Sequence, residues 1–367
     1  MMINRVIISG GGTGGHIFPA LAIADEIKKR NPNAEILFIG ARGRMEMEKI
    51  PQAGYEIIGL PIAGLQRKLT WKNLLLPFKL VRSFYLVFSV IKKFKPELVI
   101  GVGGYASGPT LQMAQLLNIP TLLQEQNSFP GKTNKILAKK AKTICVAYSG
   151  MDRFFPKEKV QLTGNPVRAN LATDLAPLKT EAAAFFGLDA TKPTILVIGG
   201  SLGALTLNES IFSGLTQIQD KNVQVLWQCG KSFETKFGQG LAQLPPQVKL
   251  LAFIQRMDLA YALADVIISR AGALSVSELS LVGKPCILVP SPNVAEDHQT
   301  KNALSLVDQN AAMLVKDIAA REVLLDTCFD LLASESKQLE LSQNLQQLAL
   351  PHATQTIVDI CEKVIGQ

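Results

Sequence analysis

With 367 residues, 47% of them apolar and 19% charged, the chain is long enough for two domains that each bury a core. Five scattered cysteines (Cys145, Cys229, Cys286, Cys328, Cys361), with no C-x-x-C pair and no histidine nearby, exclude a zinc site of usual spacing and read as buried thiols in a reducing compartment. The net charge of +8 is uneven: residues 1–165 hold 23 basic and 10 acidic side chains, residues 166–367 hold 15 and 20, so an anionic partner is expected for the first half only.

The first apolar run is only a strand long and shows no secretory pattern. No span reaches the ~18 uncharged apolar residues of a membrane-crossing helix. The nearest, Leu74 to Phe94, is broken by Lys79 and Arg82. The chain is therefore not expected to be integral to a membrane.

In chain order the first half alternates strands (4–9, 35–39, 56–60, 97–101, 120–124, 143–147, 159–162) with helices, including 18–30 and 43–53. This order predicts a parallel sheet covered on both faces. Gly164-Asn165-Pro166-Val167-Arg168 breaks both helix and strand and reads as a hinge. The second half restarts the plan with a strand at 194–198, a glycine turn at 199–204 and a helix at 205–219. Strands at 223–228, 248–252, 265–269, 286–289 and 312–315 follow. Two Rossmann-like domains are expected, 1–165 and 166–350, their ligands bound beyond the carboxyl ends of the strands in a cleft with two binding surfaces. The last helix, 354–365 after Pro351, is expected to turn back across the hinge, so that 351–367 packs on the first domain.

Gly10 to His16, reading GGGTGGH, follows the strand Val6-Ile7-Ile8-Ser9 and precedes a helix, a phosphate-binding arrangement. Gly10, Gly12 and Gly15 satisfy G-x-G-x-x-G, but the acid that a nicotinamide cofactor needs after the second strand is absent, and only Arg42 stands there to take an NADP phosphate. Gly131-Lys132-Thr133 lacks the first glycine of a P-loop, since Gln126 occupies that place. A second glycine loop, 101–108, follows the strand 97–101, and Gln124-Glu125-Gln126-Asn127 closes the next as plausible ligands, although a capping role fits Glu125 nearly as well. In the second half the unit 264–278 offers a helix start near Gly272 for a diphosphate and Glu278 for paired sugar hydroxyls. Glu296 to Asn302 forms a further polar cluster. No D-x-D pair occurs and the three histidines lie far apart, so no metal is implied and helix ends would neutralise a leaving diphosphate.

Residues 57–96 contain no acid but carry Arg67, Lys68, Lys72, Lys79, Arg82, Lys92, Lys93 and Lys95 among Trp71, Leu74, Leu75, Leu76, Phe78, Phe84, Tyr85 and Phe88. This pattern suits docking of 67–95 on an anionic bilayer; a core helix with a solvated basic face is the alternative. No nucleic-acid motif accompanies the charge, and no nucleic-acid partner is expected.

Together, GGTGGH (11–16), GVGGYASGP (101–109), QEQN (124–127), GNPVR (164–168), GGSLGA (199–204), GALSVSE (272–278) and AEDHQTKNA (295–303) resemble the motifs of the MurG family in order along the whole chain. The resemblance implies an α/β GT-B fold and a peripheral enzyme on the cytoplasmic face of the bacterial inner membrane. It also implies inverting transfer of N-acetylglucosamine from UDP-N-acetylglucosamine to the C4 hydroxyl of undecaprenyl-pyrophosphoryl-muramyl-pentapeptide, without a cofactor or metal. Carried over by position, Thr13, Gly14, Gly15, Asn127, Arg168, Ser201, Ile254, Ala273, Leu274, Ser275, Val276, Ser277, Glu278 and Gln299 contact the donor. Within that set Ile254 holds the uracil through its backbone, Glu278 the ribose, Ser201 and the 273–274 amides the diphosphate, and Gln299 the sugar. Gly103, Gly104 and Tyr105 face the acceptor, His16 is the first choice of catalytic base and Glu125 the second. Gln124 departs from the family, some of whose members have histidine there, and 291–294 is slightly longer than in some relatives. Transfer to another lipid acceptor and UDP-sugar epimerisation remain the competing enzymatic readings; a non-enzymatic membrane-binding protein leaves the second glycine-loop domain without purpose.

Overall fold

A computed structural model of the chain describes residues 1–62, 76–167, 171, 175–200, 203–235 and 244–366. Arg168, Ser201 and the 67–75 part of the basic stretch lie outside the described residues. The chain divides into two compact units, Met1–Arg168 with Leu350–Gln367, and Ala169–Ala349.

In the first unit seven strands, β1 Arg5–Ser9, β2 Glu35–Ala41, β3 Glu56–Leu60, β4 Leu98–Gly101, β5 Thr121–Glu125, β6 Thr143–Val146 and β7 Val160–Leu162, run parallel in the order β3-β2-β1-β4-β5-β6-β7. Their near-continuous apolar runs suit strands buried on both faces, and alternate residues supply the two faces. Val6, Ile8, Ile36, Phe38, Leu98 and Ile100 share one core with the helices Gly14–Arg30 and Ala353–Ile365. Ile7, Leu37, Ile39, Val99 and Leu123 share the other with the helices Leu76–Phe94 and Ser107–Leu116. The C-terminal helix joins the first core because Ile357, Val358, Cys361 and Val364 recur at helical spacing and are all buried. Arg30 secures it through Asp359 at 2.6 Å and Glu362 at 3.4 Å.

The second unit repeats the design with six parallel strands, β8 Thr194–Ile198, β9 Gln224–Gln228, β10 Val248–Leu251, β11 Val266–Ser269, β12 Cys286–Leu288 and β13 Met313–Leu314, in the order β10-β9-β8-β11-β12-β13. Ile195, Val197, Val225, Trp227 and Ile268 pack with Leu207, Ile211, Leu324 and Leu325 of flanking helices. The fully buried Trp227 indole donates to Asn208 Oδ1 at 2.9 Å, and the Asn208 amide donates to the Cys229 carbonyl at 2.8 Å, so the large ring enters the core without an orphaned donor.

Both sheets therefore have the Rossmann strand order, and in each the strand order reverses about one parallel pair: β1 and β4 in the first, β8 and β11 in the second. Glycine loops follow β1, β4 and β8, and Gly272 follows β11. All thirteen strands expected from sequence form, within two residues of the expected limits.

Three expected helices differ in their limits, and the one expected over 43–53 forms only over Glu46–Gln52. The first helix starts at Gly14 rather than Phe18, because the Thr13 carbonyl accepts the His16 and Ile17 N–H groups at 3.1 and 3.2 Å and so closes the first turn inside the glycine run. The expected helix 205–219 breaks at Gly214 into Leu205–Ser213 and Leu215–Asp220. A Cβ on Gly214 would lie 1.9 Å from Leu325 Cδ1, so this position serves the packing of the helix Ala320–Ala333. All five cysteines are free thiols in buried positions, and among the described residues no helix is long and apolar enough to cross a membrane.

Candidate active site

In the first unit the loops after β1 and β4 lean on each other. Gly11 N–H donates to the Gly103 carbonyl at 3.3 Å, and a Cβ on Gly104, whose φ is +90°, would lie 2.4 Å from the Gly11 carbonyl oxygen. Only glycine allows that approach. The remaining amides at the start of the first loop are also engaged: Gly10 N–H donates to Ile39 O at 3.3 Å, and Gly12 N–H to Glu46 Oε2 at 2.8 Å. The loop as far as Gly12 is therefore a braced scaffold, and the part left to meet a ligand is Thr13-Gly14-Gly15 at the helix start.

His16 lies in the first turn of that helix, partly exposed. Its Nδ1 is 2.9 Å from the Gly11 carbonyl and 3.4 Å from Thr13 Oγ1. A carbonyl can only accept, so Nδ1 carries the hydrogen and Nε2 the lone pair of the neutral ring. A Cβ on Gly103 would come 2.9 Å from Nε2, which places the basic nitrogen against the second glycine loop. Tyr105, at the end of that loop, is exposed.

At the carboxyl end of β5, Gln124, Glu125 and Gln126 are all buried. Glu125 Oε1 accepts the Asn127 backbone and side-chain N–H groups at 3.1 and 3.3 Å, and Oε2 accepts Asn134 Nδ2 at 2.8 Å and Gly131 N–H at 3.3 Å. Burial pushes its carboxyl up from the ordinary range, against the pull of those donors. These four bonds run to residues 127–134, so Glu125 braces its own loop. Gln124 donates to Asn165 Oδ1 at 2.9 Å, and Asn165 Nδ2 donates to the Gln126 carbonyl at 3.0 Å. A buried amide network thus ties the end of β5 to the start of the GNPVR segment.

In the second unit a carboxamide takes the bracing role. Gln228, at the end of β9, donates to the Gly200 carbonyl at 3.0 Å and accepts the Ile254 N–H at 2.9 Å. Any hold on a base through the Ile254 backbone therefore falls to its carbonyl. Beyond β11, Gly272 caps the helix Ala273–Val282, so the first-turn N–H groups of Ala273, Leu274 and Ser275 point out of the carboxyl edge of the sheet. Val276 is buried, Ser277 Oγ donates to the Ala273 carbonyl at 3.2 Å, and the buried Glu278 accepts the Tyr261 hydroxyl on Oε2 at 3.0 Å. Gln299 Oε1 accepts the Ser291 N–H at 2.9 Å, which fixes the carboxamide at the start of the helix His298–Val307. Asn302, fully buried on that helix, donates to the Ala271 carbonyl at 3.4 Å.

The first unit thus brings together Thr13, Gly14, Gly15, His16, Gly103 and Gly104, with Glu125 and Asn127 in the neighbouring β5 loop. The second gathers Ile254, the 273–278 segment and Gln299 on its own sheet edge. Sequence reasoning missed the bracing residues Glu46, Gln228 and Asn134. It also missed Arg270, which donates to Val289 O at 2.9 Å and pairs with Asp317 at 2.5 Å, while Asp317 accepts the Thr206 hydroxyl at 3.0 Å. The one signal for these residues was position at a strand's end or a helix's start, which many polar residues share. Among the described residues no cluster of three His, Cys, Asp or Glu side chains could hold a metal ion.

Residues 6–146 match the glycosyltransferase family 28 N-terminal domain and residues 194–357 its C-terminal domain. The chain is 52% identical over 361 residues to a Flavobacterium psychrophilum protein named UDP-N-acetylglucosamine–N-acetylmuramyl-(pentapeptide) pyrophosphoryl-undecaprenol N-acetylglucosamine transferase, with 98% of each chain covered. A Bacteroides fragilis protein of the same name is 54% identical, covering 99% of this chain and 96% of its own. The crystal structure of Acinetobacter baumannii MurG superposes with a TM-score of 0.79 at 31% identity, covering 98% of this chain and 99% of that one. A putative UDP-N-acetylglucosamine 2-epimerase from Listeria monocytogenes, at 13% identity and a TM-score of 0.67, shares the fold alone.

Proposed function

The chain belongs to glycosyltransferase family 28, among its N-acetylmuramyl-(pentapeptide) pyrophosphoryl-undecaprenol N-acetylglucosamine transferases, and from that premise we propose how it performs the transfer. It moves N-acetylglucosamine from UDP-N-acetylglucosamine to the lipid-linked N-acetylmuramyl-pentapeptide of peptidoglycan synthesis. In one in-line displacement the acceptor C4 hydroxyl oxygen attacks the sugar C1, the C1–O bond to UDP breaks with inversion, and the hydroxyl proton passes to His16 Nε2. The observation that supports this assignment is the Nδ1 contact to the Gly11 carbonyl, which selects the tautomer with a basic Nε2.

In the first unit, Thr13, Gly14 and Gly15 meet the donor beside His16, Gly103, Gly104 and Tyr105 meet the acceptor, and Glu125 shapes the loop that presents Asn127. In the second unit, the Ile254 carbonyl takes the uracil and Glu278 the ribose hydroxyls. The 273–274 amides with Ser201 take the diphosphate that departs as UDP, and Gln299 takes the sugar. Arg168 completes the donor contacts. Transfer of labelled N-acetylglucosamine from the UDP-sugar to the lipid-linked muramyl acceptor tests the reaction, and no transfer with folded protein would reject it.

The same enzyme is peripheral on the cytoplasmic face of the inner membrane in this reading. Support comes from the helix Leu76–Phe94, whose Ser83, Val87 and Ile91 are buried while Phe78, Val81, Tyr85 and Phe88 form an exposed stripe flanked by Arg82, Lys92 and Lys93. An apolar stripe with basic flanks suits an anionic bilayer surface. Phe84 is half-buried at the edge of the packed face, so Phe78→Glu with Tyr85→Glu is the sharper test of docking. Co-sedimentation with anionic vesicles falls in that double variant; unchanged binding would refute docking through this helix.

A further inference from the structure

We propose that Glu46 is a positioning residue that orients His16 and raises the basicity of its Nε2 through a single peptide group. Glu46 opens the helix Glu46–Gln52 and is 1% exposed. Its Oε1 accepts the Ala41 N–H at 3.0 Å and its Oε2 the Gly12 N–H at 2.8 Å. The Gly12 N–H and the Gly11 carbonyl are the two ends of one trans peptide, and that carbonyl accepts His16 Nδ1–H at 2.9 Å. Carboxylate, peptide and imidazole therefore stand in series, with the peptide replacing the direct contact of a carboxylate–histidine pair.

Two physical consequences follow from this series. An amide whose N–H donates to a carboxylate is polarised, and its carbonyl oxygen becomes the stronger acceptor, because hydrogen bonds in a chain reinforce one another in a low-dielectric interior. A stronger acceptor on Nδ1–H stabilises the imidazolium and so favours proton uptake at Nε2. The second consequence is steric. A Cβ on Gly11 would lie 2.2 Å from Glu46 Cδ, so only a glycine lets the loop come this close to the carboxylate, and the Gly12 N–H bond then fixes the peptide whose carbonyl meets the histidine. Glu46 gives up and takes no proton in this role. Among the described residues, the elements beside the loop also carry Tyr105 on the second glycine loop, Arg42 and Arg44 in the turn after β2, and Glu48 and Lys49 on the helix of Glu46. Arg42 is turned onto the Gly59 carbonyl, and Arg44 is exposed. This inference rests on the reading of His16 as the base, yet its NMR readouts do not.

The test is nitrogen-15 NMR of the full chain, whose three histidines (His16, His298, His352) are assigned by single substitution. In the unsubstituted protein His16 titrates as the Nδ1–H tautomer, and the Gly12 amide proton shifts with the same midpoint. In Glu46→Gln the His16 midpoint falls by about 0.5–1 pH unit. Its kcat at neutral pH falls about tenfold with KM for the UDP-sugar unchanged. A Gly12 amide that ignores the His16 titration overturns the proposal without any Glu46 variant, as does an unmoved His16 midpoint in folded Glu46→Gln. Retained turnover in His16→Ala, together with Gly12–His16 co-titration in the unsubstituted protein, would remove the base assignment and leave the relay standing.

Discussion

The glycine loop after β1 and the one after β8 begin from the same design, strand, glycine turn and helix, yet differ in what stands opposite. Against the first is a buried carboxylate, Glu46, on the Gly12 N–H. Against the second is a neutral carboxamide, Gln228, on the Gly200 carbonyl. A fixed negative charge beside Gly12 repels a phosphate there, whereas a carboxamide adds no such penalty at Gly200. The difference teaches that a glycine motif specifies a backbone path and not a ligand. In the first unit the loop carries the contact to a histidine; in the second, with the neighbouring helix Ala273–Val282, the proposed function gives it the diphosphate.

The strongest test of that contrast is His16→Ala, for which kcat falls by about 10²–10⁴-fold, the usual worth of a general base. Calorimetric UDP binding stays as in the unsubstituted protein, because in the proposed function the groups that take uracil, ribose and diphosphate belong to the other unit. Near-normal turnover would end the assignment. Next in size, Gly104→Ala forces a side chain into a φ of +90° and against the Gly11 carbonyl. It costs about 1–3 kcal/mol of stability and lowers turnover without weakening UDP, as thermal unfolding and titration would show.

The opposite signature belongs to Glu278→Ala, in which UDP binds about 10–100-fold more weakly through loss of charged hydrogen bonds. His16 titrates unchanged in that variant, and a simultaneous shift at His16 would break the division of labour. The smallest effect is expected at the amino edge of the first sheet, far along the strands from both loops. Glu97 accepts the Asn4 and Arg5 N–H groups, and although its partial burial opposes ionisation, these bonds hold its carboxyl below the ordinary range. A depressed value means that its stabilisation is present at neutral pH and is lost as pH falls through the folded-state value. Glu97→Gln therefore lowers Tm by about 1–3 °C at pH 7, less at pH 3, and leaves turnover unchanged.

Much of this architecture is legible in the chain because parallel strands buried on both faces are short apolar runs such as Thr194–Ile198, and punctuation by glycine and proline marks their ends. The returning C-terminal helix is legible in the spacing of Ile357, Cys361 and Val364. The helix start at Gly14 is not, since it depends on the Thr13 carbonyl closing a turn within glycines that propensity assigns to a loop. Nor is the break at Gly214, which answers to Leu325 more than a hundred residues on.

By itself the sequence determined two doubly covered parallel sheets, the order of their strands along the chain, and which loops gather glycines, His16 and Glu278. Those properties are local: periodicity, backbone freedom and residue chemistry at short range. Only the tertiary structure decided which nitrogen of His16 faces the Gly11 carbonyl, that Glu125 is hydrogen-bonded within its own loop, and that Glu46, thirty residues from the histidine, shares a peptide with it. These depend on distances between segments remote in the chain, and a hydrogen bond exists only where folding brings donor and acceptor within about 3 Å.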